Sequence, residues 1–238
     1  MARFAYRELV ATTTPASNWS KFVAHPVADA ILWLLANFTN LHPNVVTLLA
    51  NVLGFGAALS FLRGDHAGFV AGAVLFYFAF ALDAIDGALA RLTGKTSALG
   101  AWLDTIADFL RSQLCTACLT IGTYRATGDI RAFYWGFALA GVIGFYYYLA
   151  EVSQKLTGQR PAHLAKESKH PLHLKLKRWG IVPSPFGLPD LEGVCFVLFP
   201  LLNLPLLGML IAVSVGAASR LVVSLVVLRT LQTRAKRQ

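Results

Sequence analysis

The chain has 238 residues, of which 56% are hydrophobic and only 14% are charged. An average soluble domain carries about a quarter charged residues, so this composition argues against a soluble domain and favours lipid-facing surface. The net charge of +9 could indicate nucleic acid, anionic lipid or an acidic substrate. Because the basic residues lie mainly outside the apolar runs, we interpret them as the positive-inside signal of a membrane protein and expect no nucleic-acid partner.

The first 42 residues are predicted to form a segment that does not cross the membrane. Residues 1–25 are polar and mixed, without the continuous apolar run of a signal peptide. From Pro26 to Phe38, apolar residues recur at helical spacing. This stretch is shorter than the roughly 20 residues that a bilayer requires. We therefore expect an amphipathic helix that lies in the membrane interface.

Apolar runs in residues 43–238 predict one membrane domain. The first four spans are expected at 43–62, from 68 through 80 to the aspartates beyond, at 98–124 and at 132–150. A basic segment, 153–183, follows, and basic residues again close the chain at 229–237. Both should face the cytoplasm, so an even number of passes separates them.

A turn is predicted at 200–205, where Pro200, Asn203 and Pro205 interrupt the last apolar stretch. Two further spans, 186–202 and 205–228, then satisfy the even count. The expected fold is an all-α integral membrane protein with six transmembrane helices, an N-terminal interfacial amphipathic helix and both termini cytoplasmic.

Four carboxylates lie at the end of the second span and in the first half of the third. Asp83 and Asp86 are three residues apart, and Asp104 and Asp108 are four apart, so each pair lies on one face of its helix. The short turn at 92–97 should bring both pairs to one point at the cytoplasmic edge of the bilayer. A carboxylate at the centre of a membrane helix costs about 2.5–3.5 kcal/mol. Converging carboxylates share protons or bind hard cations, and a two-metal site with Mg²⁺ or Mn²⁺ would neutralise them and hold a diphosphate.

A purely structural role for these carboxylates is the alternative. Arg91 and Arg111 could hold them in a network between helices, although two arginines balance four acids poorly. Gly87 and Gly100 flank the same centre, where a missing side chain lets either a ligand or another helix approach. The planar fork of Arg91 suits a phosphate, but this side chain could also snorkel to the interface. The residues alone leave both interpretations open.

The residues form the string Asp83-x2-Asp86-Gly87-x2-Ala90-Arg91-x8-Gly100-x3-Asp104-x3-Asp108. This string resembles the signature of the CDP-alcohol phosphotransferase family at all its fixed positions and spacings. At average residue usage, a chance match in this chain is on the order of 10⁻⁸. The six-span layout, the interfacial helix, and the Pro43-Asn44 pair with Thr47 are also similar to the family.

The resemblance implies a metal-dependent membrane enzyme that transfers a substituted phosphate group from a CDP-linked substrate to an alcohol and releases CMP. It implies two Mg²⁺ or Mn²⁺ ions. Asp83, Asp86 and Asp104 would hold the metal and the CDP diphosphate, and Asp108 would be a metal ligand, the general base or both. The other CDP-binding positions would be Asn44, Thr47, Gly87, Ala90, Arg91 and Gly100. The family commonly forms homodimers, and Gly136, Gly141 and Gly144 could support close helix packing.

The acceptor alcohol is less well specified. The family includes transfer of phosphatidyl from CDP-diacylglycerol to a polar alcohol, and transfer of a phospho-headgroup from a CDP-headgroup to a lipid alcohol. Arg111, Arg220 and the basic segment 153–183 favour the first, with a phosphorylated polyol such as inositol phosphate or glycerol phosphate as acceptor. Arg111 could instead pair with a motif carboxylate, and Arg220 with Asp190 or Glu192.

An ion-coupled transporter is the main hypothesis of another class, since intramembrane carboxylates often mark ion pathways. Transporters usually place such groups near the midplane, often beside broken helices, whereas these carboxylates are expected at one edge. We therefore expect a multi-pass enzyme of phospholipid synthesis in the plasma (inner) membrane, with its active site on the cytoplasmic side.

Overall fold

The structure, a computed structural model, describes residues 4–13, 15, 17–159, 175, 178–182 and 186–235, with side chains to 233. Every regular element in these ranges is a helix. In chain order, α1 spans Tyr6–Thr12, α2 His25–Phe38, α3 Pro43–Leu62, α4 His66–Leu92, α5 Ala98–Thr127 and α6 Arg131–Thr157. A π-helical turn, Ser20–Ala24, leads into α2. Helix α7 combines Leu188–Glu192, the π-helical stretch Gly193–Leu198 and Phe199–Leu201, and α8 spans Pro205–Ala235.

Four of the described helices are long and apolar enough to cross a membrane: Pro43–Leu62, His66–Leu92, Arg131–Thr157 and Pro205–Thr233. Helix α5 has 30 residues, but it carries Asp104, Asp108 and Arg111. Helix α7 is shorter than the roughly 20 residues of a full crossing. The protein is thus an all-helical integral membrane protein, while the count of six spans and their orientation stay predictions.

The N-terminal segment packs against the motif-bearing half of α4. Leu9 of α1 and Leu32 of α2 are fully buried in one cluster with Ile85 and Leu89. The predicted amphipathic helix is present as α2, and its exposed apolar side chains, including Phe38, suit a membrane interface. The division into segments 1–42 and 43–238 stays a prediction.

The turns fall where glycine, asparagine and proline predict them. Gly94, between α4 and α5, has a φ of +66°, and Asn203, between α7 and α8, has a φ of 58°. Both angles lie in the left-handed region that these residue types tolerate. Pro205 then begins α8. Most of the basic segment 153–183 lies outside the described residues, as do the side chains of the last basic residues.

Helix α3 organises the motif helices. Both α4 and α5 pack extensively against α3, and they pack far less against each other. The bundle core continues through Phe76 of α4, Leu119 of α5, Phe196 of α7 and Met209 of α8. The rings of Phe76 and Phe196 lie 4.7 Å apart. This packing supports α4 and α5 from one side, so their aspartates face one another without a tight helix–helix contact between them.

Candidate active site

Three of the four motif aspartates converge between α4 and α5. One carboxylate oxygen from each of Asp83, Asp104 and Asp108 lies within 4.8 Å of the other two. Carboxylate oxygens are the ligands that Mg²⁺ and Mn²⁺ prefer. The predicted convergence is confirmed for these three residues, and their chemistry fits a divalent cation.

Asp86 lies beside this group and is oriented from α3. Its side chain is buried, and its Oδ2 accepts a hydrogen bond of 2.6 Å from the Thr47 hydroxyl. The charges of Asp83 and Asp104 act on it, so the fourth aspartate belongs to the same electrostatic centre. Its role as a metal ligand stays a prediction. Sequence reasoning placed Thr47 near the site through the family resemblance, and the structure connects it to Asp86.

Arg111 is the cation of this centre. Its Nη1 lies 3.1 Å from Asp83 Oδ1, and its Nη2 lies 2.9 Å from Asp108 Oδ1. The guanidinium is buried, and Gly54 of α3 makes room for the side chain, since a Cβ at Gly54 would lie 2.4 Å from Arg111 Cδ. Arg111 therefore adopts the alternative arrangement expected from the sequence, paired with motif carboxylates.

A fifth carboxylate joins the centre from α7. Glu192 is 3% exposed and accepts a hydrogen bond from the Ser112 hydroxyl. Its charge also acts on Arg111. From the sequence alone, Glu192 is expected only as a partner for Arg220. The only signal in the sequence is that Glu192 lies directly before an apolar run. Nothing in the spacing shows that α7 packs this acid against α5.

Arg220 lies in a different environment. Its Nη2 donates to the Phe186 carbonyl at 2.7 Å and to Ser219 Oγ at 2.9 Å. The guanidinium lies over the Tyr146 ring, 4.7 Å from its centroid. Neither acid considered as its partner appears among its described contacts, and Asp190 instead accepts from the backbone N–H groups of Gly187, directly before α7, and of Trp19. The predicted binding of an acceptor phosphate by Arg220 is not tested by these contacts.

Few atoms lie within contact distance of the position that a side chain would take at either motif glycine. A Cβ on Gly87 would approach only Arg91 Nη1, at 3.4 Å, and a Cβ on Gly100 only Ser97 Oγ, at 3.0 Å. Among the described residues, therefore, no second helix lies against either glycine, so tight helix packing does not explain them here. Arg91 is exposed and donates to the Thr12 carbonyl at 3.4 Å. These positions leave room for a ligand to approach the backbone.

The remaining predicted nucleotide positions lie at the margin of the site. Ala90 is partly exposed, and its carbonyl accepts from the Lys95 N–H at 2.9 Å at the end of α4. Asn44 is exposed in the first turn of α3, one turn before Thr47. Their contact with a nucleotide stays a prediction.

A family model described as CDP-alcohol phosphatidyltransferase matches residues 40–172. Two similar proteins are named archaetidylinositol phosphate synthase. The one from Aeropyrum pernix is 38% identical over 79 residues, and the one from Pyrococcus horikoshii is 41% identical over 68 residues. These stretches cover 33% and 29% of this chain, and 39% and 35% of the respective relatives. The matched region therefore spans well under half of either relative.

The fold is similar to a crystal structure of Mycobacterium tuberculosis phosphatidylinositol phosphate synthase (PgsA1) with CDP-DAG bound. The TM-score is 0.56 at 21% sequence identity, and the likeness covers 86% of this chain and 93% of that one. At this identity the likeness is one of fold.

Proposed function

This chain belongs to the CDP-alcohol phosphatidyltransferase family, and we propose that it transfers a phosphatidyl group from a CDP-linked lipid, CDP-diacylglycerol in the first instance, to an alcohol with release of CMP. The observation that carries this proposal is the convergence of Asp83, Asp104 and Asp108 within 4.8 Å. The CDP-DAG bound to the protein of similar fold supports the choice of donor.

The motif aspartates are proposed to hold two divalent cations, Mg²⁺ or Mn²⁺. Asp83, Asp86, Asp104 and Asp108 offer only hard oxygen donors, and their four negative charges exceed the one positive charge that Arg111 supplies. Bound cations would supply stabilisation of charge on the diphosphate and on the departing CMP.

Asp108 is proposed as the general base, with or without a role as a metal ligand. The acceptor hydroxyl oxygen attacks the phosphorus distal to cytidine, and its proton passes to the Asp108 carboxylate. The bond between that phosphorus and the bridging oxygen breaks, and CMP leaves with the electron pair. This direct displacement requires no covalent enzyme intermediate.

The nucleotide is proposed to lie over the open faces of Gly87 and Gly100, where a side chain would stand in the way of the diphosphate. Arg91 is exposed nearby and has the planar fork that suits a phosphate. The other proposed nucleotide contacts come from the ends of α3 and α4, at Asn44, Thr47 and Ala90.

The acceptor is proposed to be a phosphorylated polyol, inositol phosphate before glycerol phosphate. The names of both archaeal relatives support inositol phosphate. Arg220 is proposed to bind the acceptor phosphate, since its guanidinium is held by neutral groups and keeps its net positive charge. Arg111 could bind the acceptor phosphate only after divalent cations have replaced it as the partner of Asp83 and Asp108, because it is paired with both here.

The chain is proposed to cross the membrane six times, through α3 to α8, with the fifth crossing made by α7 together with its flanking residues over 186–202. Both termini and the active site are proposed to lie on the cytoplasmic side of the plasma (inner) membrane. Three exposed basic residues support this orientation: Lys155 in the last turn of α6, Lys175 between α6 and α7, and Arg229 near the end of α8. A homodimer is also proposed. Gly141 of α6 faces open space and could pack against a second copy, whereas Gly136 packs against Thr120 of its own chain.

The test is CMP release by the purified protein in lipid with Mg²⁺ or Mn²⁺. CDP-diacylglycerol would be offered separately with inositol phosphate, glycerol phosphate, serine and inositol. Release with inositol phosphate alone, and its loss in Asp104→Asn and Asp108→Asn variants that still fold, is the expected result. Release only with a CDP-headgroup and a lipid alcohol would replace the proposed donor, and no release under any condition would reject phosphatidyl transfer.

A further inference from the structure

We propose that Glu192 is a positioning residue of the aspartate centre, whose buried carboxylate balances Arg111 so that Asp83 and Asp108 are available to divalent cations. This inference rests on the metal-dependent function proposed above. It assigns a role to a residue of α7, outside the motif that α4 and α5 carry.

Arg111 competes with cations for the same carboxylates. It contacts Oδ1 of Asp83 and Oδ1 of Asp108, and both residues belong to the group of three aspartates that could hold a metal. Arginine does not lose its proton in proteins, so Arg111 keeps its positive charge when a divalent cation binds. The two positive charges then repel each other. Arg111 must then give up at least part of its pairing, and a buried guanidinium without a counter-charge is strongly destabilising.

Glu192 is placed to supply that counter-charge. It is 3% exposed, and its charge acts on Arg111. The Ser112 hydroxyl, next to Arg111 in the chain, donates to its carboxylate. Arg111 Nε is buried and has no hydrogen-bond partner among the described residues, so one donor is still available if the guanidinium turns away from the aspartates.

The backbone around Glu192 is held in place by a contact with a residue outside α7. The π-helical stretch of α7 begins at the next residue, Gly193, and π-bulges are frequent at functional sites. Gly193 has no space for a side chain, because a Cβ there would lie 2.2 Å from the Trp19 ring. This contact fixes the position of α7 at the point where it presents Glu192 to α5.

The charges support the same role. When all are ionised, as they would be around bound cations, the four motif aspartates and Glu192 carry five negative charges against the one positive charge of Arg111. The remainder equals the charge of the two divalent cations proposed for the site. With Glu192 neutral, Arg111 must take its counter-charge from the motif aspartates, which leaves less negative charge for the cations.

A simple structural role is the competing explanation, in which Ser112 and Glu192 only hold α5 and α7 together. Two variants separate these roles. Glu192→Gln keeps the size of the side chain and a hydrogen-bond acceptor for Ser112 but removes the charge. Ser112→Ala removes the hydrogen bond but keeps the charge. A structural role predicts lower stability in both variants with unchanged metal affinity.

The measurement is Mn²⁺ binding to the purified full chain in lipid nanodiscs without substrate, monitored by electron paramagnetic resonance. We expect Glu192→Gln to weaken Mn²⁺ binding by about tenfold or more, the range seen when groups that support metal ligands are removed. Ser112→Ala should weaken it less. Glu151→Gln is the matched control, since Glu151 is exposed on α6, and it should bind as the wild type does. A folded Glu192→Gln variant that binds Mn²⁺ within about twofold of wild type would overturn the proposal.

A second measurement asks whether Glu192 acts through Arg111. Arg111→Gln removes the competing cation, so it should bind Mn²⁺ no more weakly than wild type, and adding Glu192→Gln should then have a smaller effect than in the wild-type background. Equal effects in both backgrounds would overturn the role through Arg111. If Glu192→Gln alone does not fold, the double variant, which lacks both charges, is compared with Arg111→Gln. A role through Arg111 predicts that these two bind Mn²⁺ alike, and binding about tenfold weaker in the double variant would overturn that role.

The outcomes are distinct from those of the activity test. Weaker Mn²⁺ binding in Glu192→Gln, together with no CMP release by the wild type, would leave the positioning role intact and reject phosphatidyl transfer. CMP release by the wild type, together with unchanged Mn²⁺ binding in the variant, would reject the positioning role alone.

Discussion

Gly54 of α3 is the position where one added methyl group should disturb the centre most directly. A Cβ there would lie 2.4 Å from Arg111 Cδ and 2.7 Å from Arg111 Cγ. These atoms are in the middle of the side chain, so the whole arginine must shift. Its contacts with Asp83 at 3.1 Å and Asp108 at 2.9 Å would lengthen or break. We therefore expect Gly54→Ala to destabilise the protein.

The expected size of this effect follows from three contributions. Overpacking a core costs about 1–3 kcal/mol. Breaking a buried ion pair costs about 3–5 kcal/mol, and about half of this applies if the guanidinium keeps one of its two carboxylates. Alanine in place of glycine returns up to about 1 kcal/mol of helix propensity. The net destabilisation is about 1.5–5.5 kcal/mol, and each kcal/mol lowers the unfolding midpoint of a chain of this size by about 2–4 °C.

The assay is thermal unfolding in lipid nanodiscs, monitored by tryptophan fluorescence. Gly56→Ala is the matched control on the same helix, because its Cβ would meet only Leu75 Cδ1, at an ordinary contact distance of 3.5 Å. The control should unfold close to the wild type. If Gly54→Ala unfolds at the same temperature as Gly56→Ala, the close packing of Arg111 against α3 is refuted.

Thr47→Ala should lower CMP release by about tenfold or more, because it removes the hydroxyl that orients Asp86 at 2.6 Å. Thr47→Ser should keep most of the activity, and equal losses in the two variants would contradict this role. Asp65→Ala should lower the unfolding midpoint near neutral pH, because Asp65 accepts from the Gly68 N–H at the start of α4 and pairs with Arg63. The hydrogen bond from Arg63 lowers the pKa of the Asp65 carboxyl in the folded state. Its stabilisation is therefore present above the unfolded-state pKa and is lost as the pH falls through the lowered value, so the difference from wild type should disappear in strong acid. A difference that persists there would contradict this origin.

Much of the helical layout could be predicted because local signals mark it. The span 43–62 coincides with α3, which begins at Pro43 and is bounded by the polar loop at Arg63. The turn at 92–97 and the break near Asn203 were indicated by residues that favour left-handed backbone. Helix α7 was less predictable. It was expected as one span over 186–202, but its centre is π-helical, and such stretches depend on tertiary contacts such as that of Trp19 with Gly193.

The sequence by itself determined which side chains share a helix face. Asp104 and Asp108 are one turn apart on α5 whatever that helix packs against, because the helical repeat sets their direction. The short turn at 92–97, together with the spacing within each helix, was enough to predict the convergence of Asp83 with these two residues. The family resemblance follows from the same spacing.

Only the tertiary structure decided how the charges are paired. Ser112 meets Glu192 across 80 positions of the chain, and Thr47 meets Asp86 across 39. Contacts of this kind depend on the rotation and separation of whole helices, which are set by packing at many distant positions together. That packing, and not the local pattern, places Arg111 against two motif aspartates and brings an acid from α7 to the same buried centre.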